Sequence, residues 1–193
     1  MLPQKYVAAH KQTRIMHALA ELTAEQGYEA TKISDIVKRA GVARKTLYDN
    51  FGGKEEVFTQ AFDAALNEAI DRIEASCSTR GDRWDDAVEA ALTSLLDYVA
   101  EEPKLAALCL IEAPAATSTT MEHYDEAMGR IVDLVRGSLP LDKDVAETAA
   151  AAVAGGVARV IYQQVCRGET VPAQELAVEL SSWVMAISSD VAR

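Results

Sequence analysis

The sequence predicts an all-α protein of about nine helices, three short ones forming a head and six longer ones following it. Three observations carry that prediction. Apolar residues recur at helical spacing along nearly the whole chain, and no stretch keeps the two-residue alternation of a strand. Ala, Leu, Val and Glu are plentiful and aromatics make up only 6%, a helix-forming mix. Finally, glycine or proline falls at most of the breaks, at Gly27, Gly41, Gly52-Gly53, Pro103, Pro140 and Pro172. With 193 residues, 49% of them hydrophobic, the chain can bury one sizeable core, or join a small domain to a larger one.

The first helix runs from about Val7 to Gln26, with Ile15, Leu19 and Leu22 on one stripe and Gly27 as its stop. Ile33, Ile36, Val37 and Ala40 mark a short second helix, with Thr31 placed to cap it and Gly41 to end it. A third spans roughly Ala43 to Asn50. The fourth, Lys54 to about Cys77, carries Val57, Phe58, Ala61, Phe62, Leu66, Ile70 and Ile73 at helical spacing. The stretch TRGDRWDD turns into a helix from Trp84 to Glu101 with Val88, Leu92, Leu95 and Val99 inward. Pro103 opens the next, which stops near Pro114. TSTT reads as a polar connection, followed by helices at Met121–Leu139, Lys143–Gly168 and Pro172 to about Val191.

The net charge of -11 argues against a nucleic-acid binder when taken over the whole chain. Its distribution argues otherwise. Residues 1–58 hold 9 Lys/Arg against 7 Asp/Glu, while 59–193 hold 10 against 23. The first part therefore carries +2 and the second -13, a split that suggests separate tasks.

Two of those nine basic groups stand side by side in GVARKTLYDNF, Gly41 to Phe51, with Thr46 and Tyr48 as further donors. Two short helices joined by a tight glycine turn, the second bearing exposed donors, make a helix-turn-helix unit whose second helix enters the DNA major groove. Ile36, Val37, Val42, Leu47 and Phe51 can lock the pair together and onto the first helix. The opposite surface then presents Arg44, Lys45, Thr46, Tyr48 and Asn50. Arg and Lys can donate to guanine O6 and N7, and Thr can touch a thymine methyl. Tyr48 and Asn50 can reach phosphates, which fix register. Lys54 adds a cation at a helix N-terminus, a pairing suited to phosphate.

The segment ATKISDIVKRAGVARKTLYDNFGGKEEVF, Ala30 to Phe58, resembles the DNA-binding segment of TetR-family transcriptional regulators. The features that align are Thr31, Ile36, Ala40, Gly41, Val42, Leu47, Tyr48, Phe51, Lys54, Glu55 and Phe58. The resemblance implies an all-helical homodimer on a palindromic operator in double-stranded DNA. It implies phosphate contacts at Thr31, Tyr48 and Lys54, with Arg44, Lys45 and Thr46 facing bases. The chain departs from the family at Ala43, where a Ser commonly caps the recognition helix, and at Gly52-Gly53, where a Ser or Pro is more usual.

The same resemblance implies a division at residues 1–53 and 54–193, the second part holding an effector site and the dimer interface. The last two helices offer apolar stripes at Val153, Gly156, Val157 and Val160, and at Leu176, Leu180, Trp183, Val184 and Ile187. These stripes would serve an intramolecular core equally well, and the resemblance favours the dimer. Glycine inside a helix costs about 1 kcal/mol relative to Ala, so Gly155-Gly156 suggests a close helix–helix approach. Effector-site candidates are Phe62, Leu66, Leu92, Leu96, Leu105, Cys109, Tyr124, Met128 and Tyr162, with Glu112, Arg159 and Gln163 as orienting polar groups. A small, mainly apolar effector fits that lining. The expected function is a ligand-responsive repressor released from its operator, the alternative being an activator or co-regulator acting through protein partners.

Catalysis finds little support. His10 and His17 have no nucleophile near them in sequence. His123 among Glu122, Asp125 and Glu126 reads as a solvated charged face rather than a metal site. Phosphate-loop, G-x-S-x-G and H-E-x-x-H patterns are absent from the sequence. No enzyme activity, metal or cofactor is therefore expected. Cys77, Cys109 and Cys166 read as reduced, mostly buried thiols. The small-apolar run Thr148–Ala158 is too short and alanine-rich to span a bilayer, so the chain is expected to be cytoplasmic with no membrane partner.

Overall fold

The computed structural model describes residues 4–78, 84–139, 143–168 and 172–191, and these are helical almost throughout, with no strand among them. The helices are α1 (Gln4–Gln26), α2 (Ile33–Ala40), α3 (Arg44–Asn50), α4 (Lys54–Ser78), α5 (Trp84–Glu101), α6 (Pro103–Ala107), α7 (Ala113–Ala116), α8 (Ser118–Ser138), α9 (Lys143–Arg167) and α10 (Ala173–Val191). A π-helical turn, Leu108–Glu112, joins α6 to α7 without a break. Counted as one run, that stretch leaves the nine expected helices among the described residues. The expected turn at 79–83 and the break at Pro140 lie outside the described residues.

The glycine stops act as expected. Gly27, at φ +81°, donates its N–H to the Thr23 carbonyl at 2.8 Å. Gly41 takes φ 63° and ψ 40°, with its N–H on the Lys38 carbonyl and that of Val42 on the Val37 carbonyl. Arg14 of α1 donates to the carbonyls of Ala40 and Gly41, fastening the α2–α3 turn to α1. A side chain at Gly41 would hold a left-handed backbone, and its Cβ would sit 2.7 Å from the Arg14 guanidinium. Gly41→Ala is therefore expected to destabilise the protein by about 1–2 kcal/mol, read as a lowered midpoint in thermal or urea unfolding.

Three local expectations need correction. Thr31 does not cap α2. Lys32 occupies that position without a side-chain hydrogen bond, while the Thr31 hydroxyl donates to the Gly27 carbonyl at 2.8 Å and is buried. TSTT is a helix start rather than a connection. Thr117 and Thr120 exchange hydrogen bonds, the Thr117 N–H to Thr120 Oγ1 at 2.8 Å and the Thr120 N–H to Thr117 Oγ1 at 3.2 Å, a reciprocal cap. Nor does the sixth helix stop at Pro114. Proline in an α-helix collides with the carbonyl four residues back. Here the preceding turn is widened, with the Ala113 N–H bonded five residues back to Leu108, and the chain stays helical to Ala116.

The chain divides into two compact units. The first comprises residues 1–65 and 104–123, the second 66–103 and 124–193. The expected boundary at residue 53 falls inside the first unit, where Val57 and Phe58 of α4 are fully buried. In the second unit α10 packs along α5, and Leu176, Ala177, Leu180 and Val184 of α10 are buried. Trp84, Val132 and Val135 pack on Leu139, Ala149 and Ala150. Arg72 bonds Glu68 and Glu101, each at 2.7 Å, with its guanidinium 4.8 Å from the Tyr98 ring centroid.

Two further expectations are revised. Cys77 and Cys166 are exposed and Cys109 is half-buried, its thiol pushed up to about 12 first by burial and then by Asp63. The apolar run in α9 extends to Val145–Arg167, which has the length and composition of a membrane span by those two criteria alone. The same helix buries Ala149, Ala150, Val153, Val157 and Ile161 within the second unit, as a core helix does.

Candidate nucleic-acid interface

A seven-residue helix such as α3 is not stable alone in water, so packing has to hold it. Leu47 and Phe51 anchor it, and together with Ile36 of α2 and Ile15 and Leu19 of α1 they are almost wholly excluded from solvent. Burying each such side chain contributes about 1.5–3 kcal/mol. That packing fixes which face of α3 looks outward. Arg44, Lys45 and Tyr48 are exposed on it, and Thr46 is half-buried. The Arg44 guanidinium lies 5.7 Å from the Tyr48 ring centroid, and its Nη2 is 3.4 Å from the Tyr48 hydroxyl. The pair restrains two long side chains on the surface that would meet a duplex. Ala43 stands at the helix start in extended backbone with no side-chain cap, as its methyl dictates.

Asn50 and Lys54 each make a contact within the chain. The Asn50 amide donates to the Thr46 carbonyl at 2.6 Å, closing the end of α3 and occupying a donor expected to reach phosphate. Lys54 turns toward the end of α1. Its Nζ donates to the Tyr28 carbonyl at 2.8 Å and sits 3.9 Å from the Tyr28 ring centroid. Thr31, expected at a phosphate, has its hydroxyl buried in the α1–α2 connection and presents no exposed donor.

Tyr28 is the residue that sequence reasoning missed. Its ring meets Phe58 edge-on at 5.1 Å, and its own N–H donates to Glu112 Oε2 at 3.0 Å. Burial, then Glu55 and Glu29, raise its phenol above the ordinary range. Glu112, the expected orienting group for an effector, ties the π turn to the α1–α2 connection. A lone aromatic after a helix-ending glycine was the available signal for Tyr28, and no sequence pattern linked it to a carboxylate 84 positions away.

Other charges near the head are already engaged. Arg39 forks onto Glu21 at 2.9 Å and Glu25 at 2.8 Å, and that hydrogen bond holds the Glu25 carboxyl below the usual carboxylate range. Glu56 reaches back to the Gly52 N–H at 2.6 Å, tying the glycine pair to the start of α4. His123 Nδ1 lies 3.4 Å from Asp63 Oδ1, and the Thr117 hydroxyl 3.0 Å from Glu55 Oε1. No group of three metal-binding side chains gathers among the described residues.

The effector candidates divide between the units. Phe62, Leu105, Cys109 and Glu112 belong to the first and the rest to the second. Phe62, Leu92, Leu96 and Leu105 are buried, while Leu66, Tyr124, Met128, Tyr162 and Gln163 are half-buried. Arg159 is exposed, its guanidinium 5.0 Å from the Tyr162 ring centroid. The interface candidates also divide. Val153, Val157, Leu176, Leu180 and Val184 are buried in the chain's own second unit, so their stripe serves the intramolecular core left open above. Gly156, Val160 and Ile187 remain partly accessible, and Trp183 is 39% exposed. The Trp183 ring lies on Gly156, where an added Cβ would meet it at 2.6 Å, so the close helix approach expected there is present.

Residues 15–61 match the model for the tetR family of bacterial regulatory proteins, and that span holds α3 and the residues packed behind it. The uncharacterized HTH-type transcriptional regulator YezE of Bacillus subtilis is 32% identical over 110 residues, covering 48% of this chain. The chain spans 57% of that relative's length. Among solved structures, the fatty acid degradation regulator FadR from Bacillus halodurans superposes with a TM-score of 0.81 at 21% identity, covering 90% of this chain and 94% of the other. The transcriptional regulator FadR from Bacillus subtilis, solved in complex with stearoyl-CoA, gives 0.78 at 20% identity, covering 89% and 96%. At these identities the likeness establishes the fold.

Proposed function

We propose that the chain belongs to the tetR family of bacterial regulatory proteins, whose model it matches over residues 15–61, and that it is a cytoplasmic, DNA-binding transcriptional repressor working as a homodimer. The observation that carries the reading is the outward face of α3, where Arg44, Lys45 and Tyr48 stand exposed on a helix fixed by buried Leu47 and Phe51. In the groove, Arg44 and Lys45 donate to base edges, Thr46 offers a methyl, and Tyr48 reaches phosphate. Two copies related by a two-fold axis match a palindromic operator with half-sites one turn apart, about 34 Å. The accessible Trp183, Val160, Ile187 and Gly156 are the surface on which the copies meet.

Fragments selected from genomic DNA by the purified protein supply the operator. Titrated against salt, binding is expected to weaken linearly on logarithmic axes with a slope of roughly -2 to -4, as cations on both heads displace counterions from phosphates. A slope near zero would remove the DNA-binding reading.

The effector is an amphiphile with a long apolar part, and stearoyl-CoA, held by the Bacillus subtilis relative, is the first candidate. A ligand shifts a conformational equilibrium only by its differential affinity for the two states. α4 is continuous from Lys54 to Ser78 and starts beside the head, which makes it the element whose tilt resets the recognition helices. Stearoyl-CoA is expected to lower operator affinity in the same titration. Failure of every acyl ligand to change it would remove the effector half of the reading and leave DNA binding in place.

A further inference from the structure

Gln164 follows Val157 and Ile161 on α9 by seven and three residues, so it continues the face that those two buried side chains define. An apolar residue there would extend the stripe. Instead the chain carries an amide whose oxygen Oε1 is enclosed and reached by no protein donor. Such atoms are rare in native proteins, because an acceptor taken out of water without a donor costs stability and gains nothing structural in return. The neighbouring polar groups do not supply one. Arg159 is exposed and turned onto Tyr162, its guanidinium 5.0 Å from that ring's centroid.

We propose that Gln164 is the polar anchor of the effector, accepting a hydrogen bond from a hydroxyl or amide N–H on an otherwise apolar molecule. The proposal rests on the effector reading above and sharpens it, because it names the functional group that the ligand has to carry. A buried acceptor selects strongly for a ligand that brings its donor, since the analogue without one leaves the acceptor unpaired. Among acyl compounds this separates thioesters whose carrier arm contains amide N–H groups from the free fatty acid, whose ionised head has acceptors alone.

The experiment compares stearoyl-CoA with stearate on the full-length wild-type protein and on Gln164→Met, which is apolar and close to glutamine in shape. Wild type is expected to bind stearoyl-CoA at least about tenfold more tightly than stearate. Gln164→Met should lose that margin while keeping its stearate affinity within about twofold. Without ligand, the variant should melt about 2–6 °C higher, because an unpaired acceptor has been removed. Gln164→Leu provides the same comparison if the methionine variant folds poorly. A margin retained in the variants, or a lower melting temperature, would overturn the role of Gln164 while leaving the acyl effector standing. Binding of neither probe by wild type would overturn the acyl reading itself, and the ligand class assigned here with it.

Discussion

Replacing Arg44 with alanine should weaken binding to the selected operator by about 1–3 kcal/mol and relax sequence preference at one base pair in each half-site. The exposure of Arg44 allows a clean test, because its removal uncovers no core and should leave the melting temperature almost unchanged. The Tyr48 contact sharpens the expectation. With the guanidinium gone, the phenol loses the partner 5.7 Å from its ring centroid, so some of the loss arises from a less ordered recognition surface. Fluorescence anisotropy against the operator and its single-base variants separates the two contributions. A base contact changes the ranking of the variants, whereas lost order weakens all of them together. Unchanged affinity across the whole set would mean that α3 does not enter the groove.

Phe58→Ala should produce the largest loss of stability among single substitutions in the head, about 3–5 kcal/mol. Phe58 is fully buried in the first unit and meets Tyr28 edge-on. Tyr28 in turn holds Lys54 through its carbonyl and ring, and its N–H is held by Glu112. Emptying the Phe58 position therefore leaves a cavity and frees the residue on which the start of α4, the end of α1 and the π turn converge. Denaturant unfolding followed by circular dichroism measures the stability. Operator affinity at a temperature where the variant stays folded measures the second effect. A loss below about 1 kcal/mol would show that the site collapses around the missing ring and that Tyr28 does not depend on Phe58.

Features that depend on neighbours along the chain were legible in the sequence. Gly27 and Gly41 end helices because only a residue without a side chain takes a left-handed backbone freely, and that rule needs no tertiary context. The core of the head was equally legible, since Ile15 and Leu19 share a stripe of α1 while Ile36 and Leu47 fall on the apolar sides of α2 and α3. What escaped were side chains whose partners lie far away in sequence. Lys54 looked available for phosphate because no pattern links it to Tyr28, and Glu112 looked like a pocket residue because no pattern links it to the α1–α2 connection. The α9 and α10 stripes were visible, but a stripe does not say whether it faces its own chain or another copy. Leu176, Leu180 and Val184 turned out to face their own. Among the glutamines, Gln163 was expected to orient an effector, whereas it is Gln164 whose amide oxygen is enclosed.

The widened turn at Leu108–Glu112 places a limit on the chain's length. A π turn holds one residue more than an α-helix needs over the same rise, and that surplus lets Pro114 sit in a helical run. Deleting any one of these five residues would restore ordinary winding and press the proline ring against a carbonyl. Surface loops usually accept gains and losses of single residues. This turn should accept neither, so relatives that share the Glu112–Tyr28 link should keep an invariant count of residues from the start of the π turn to the proline.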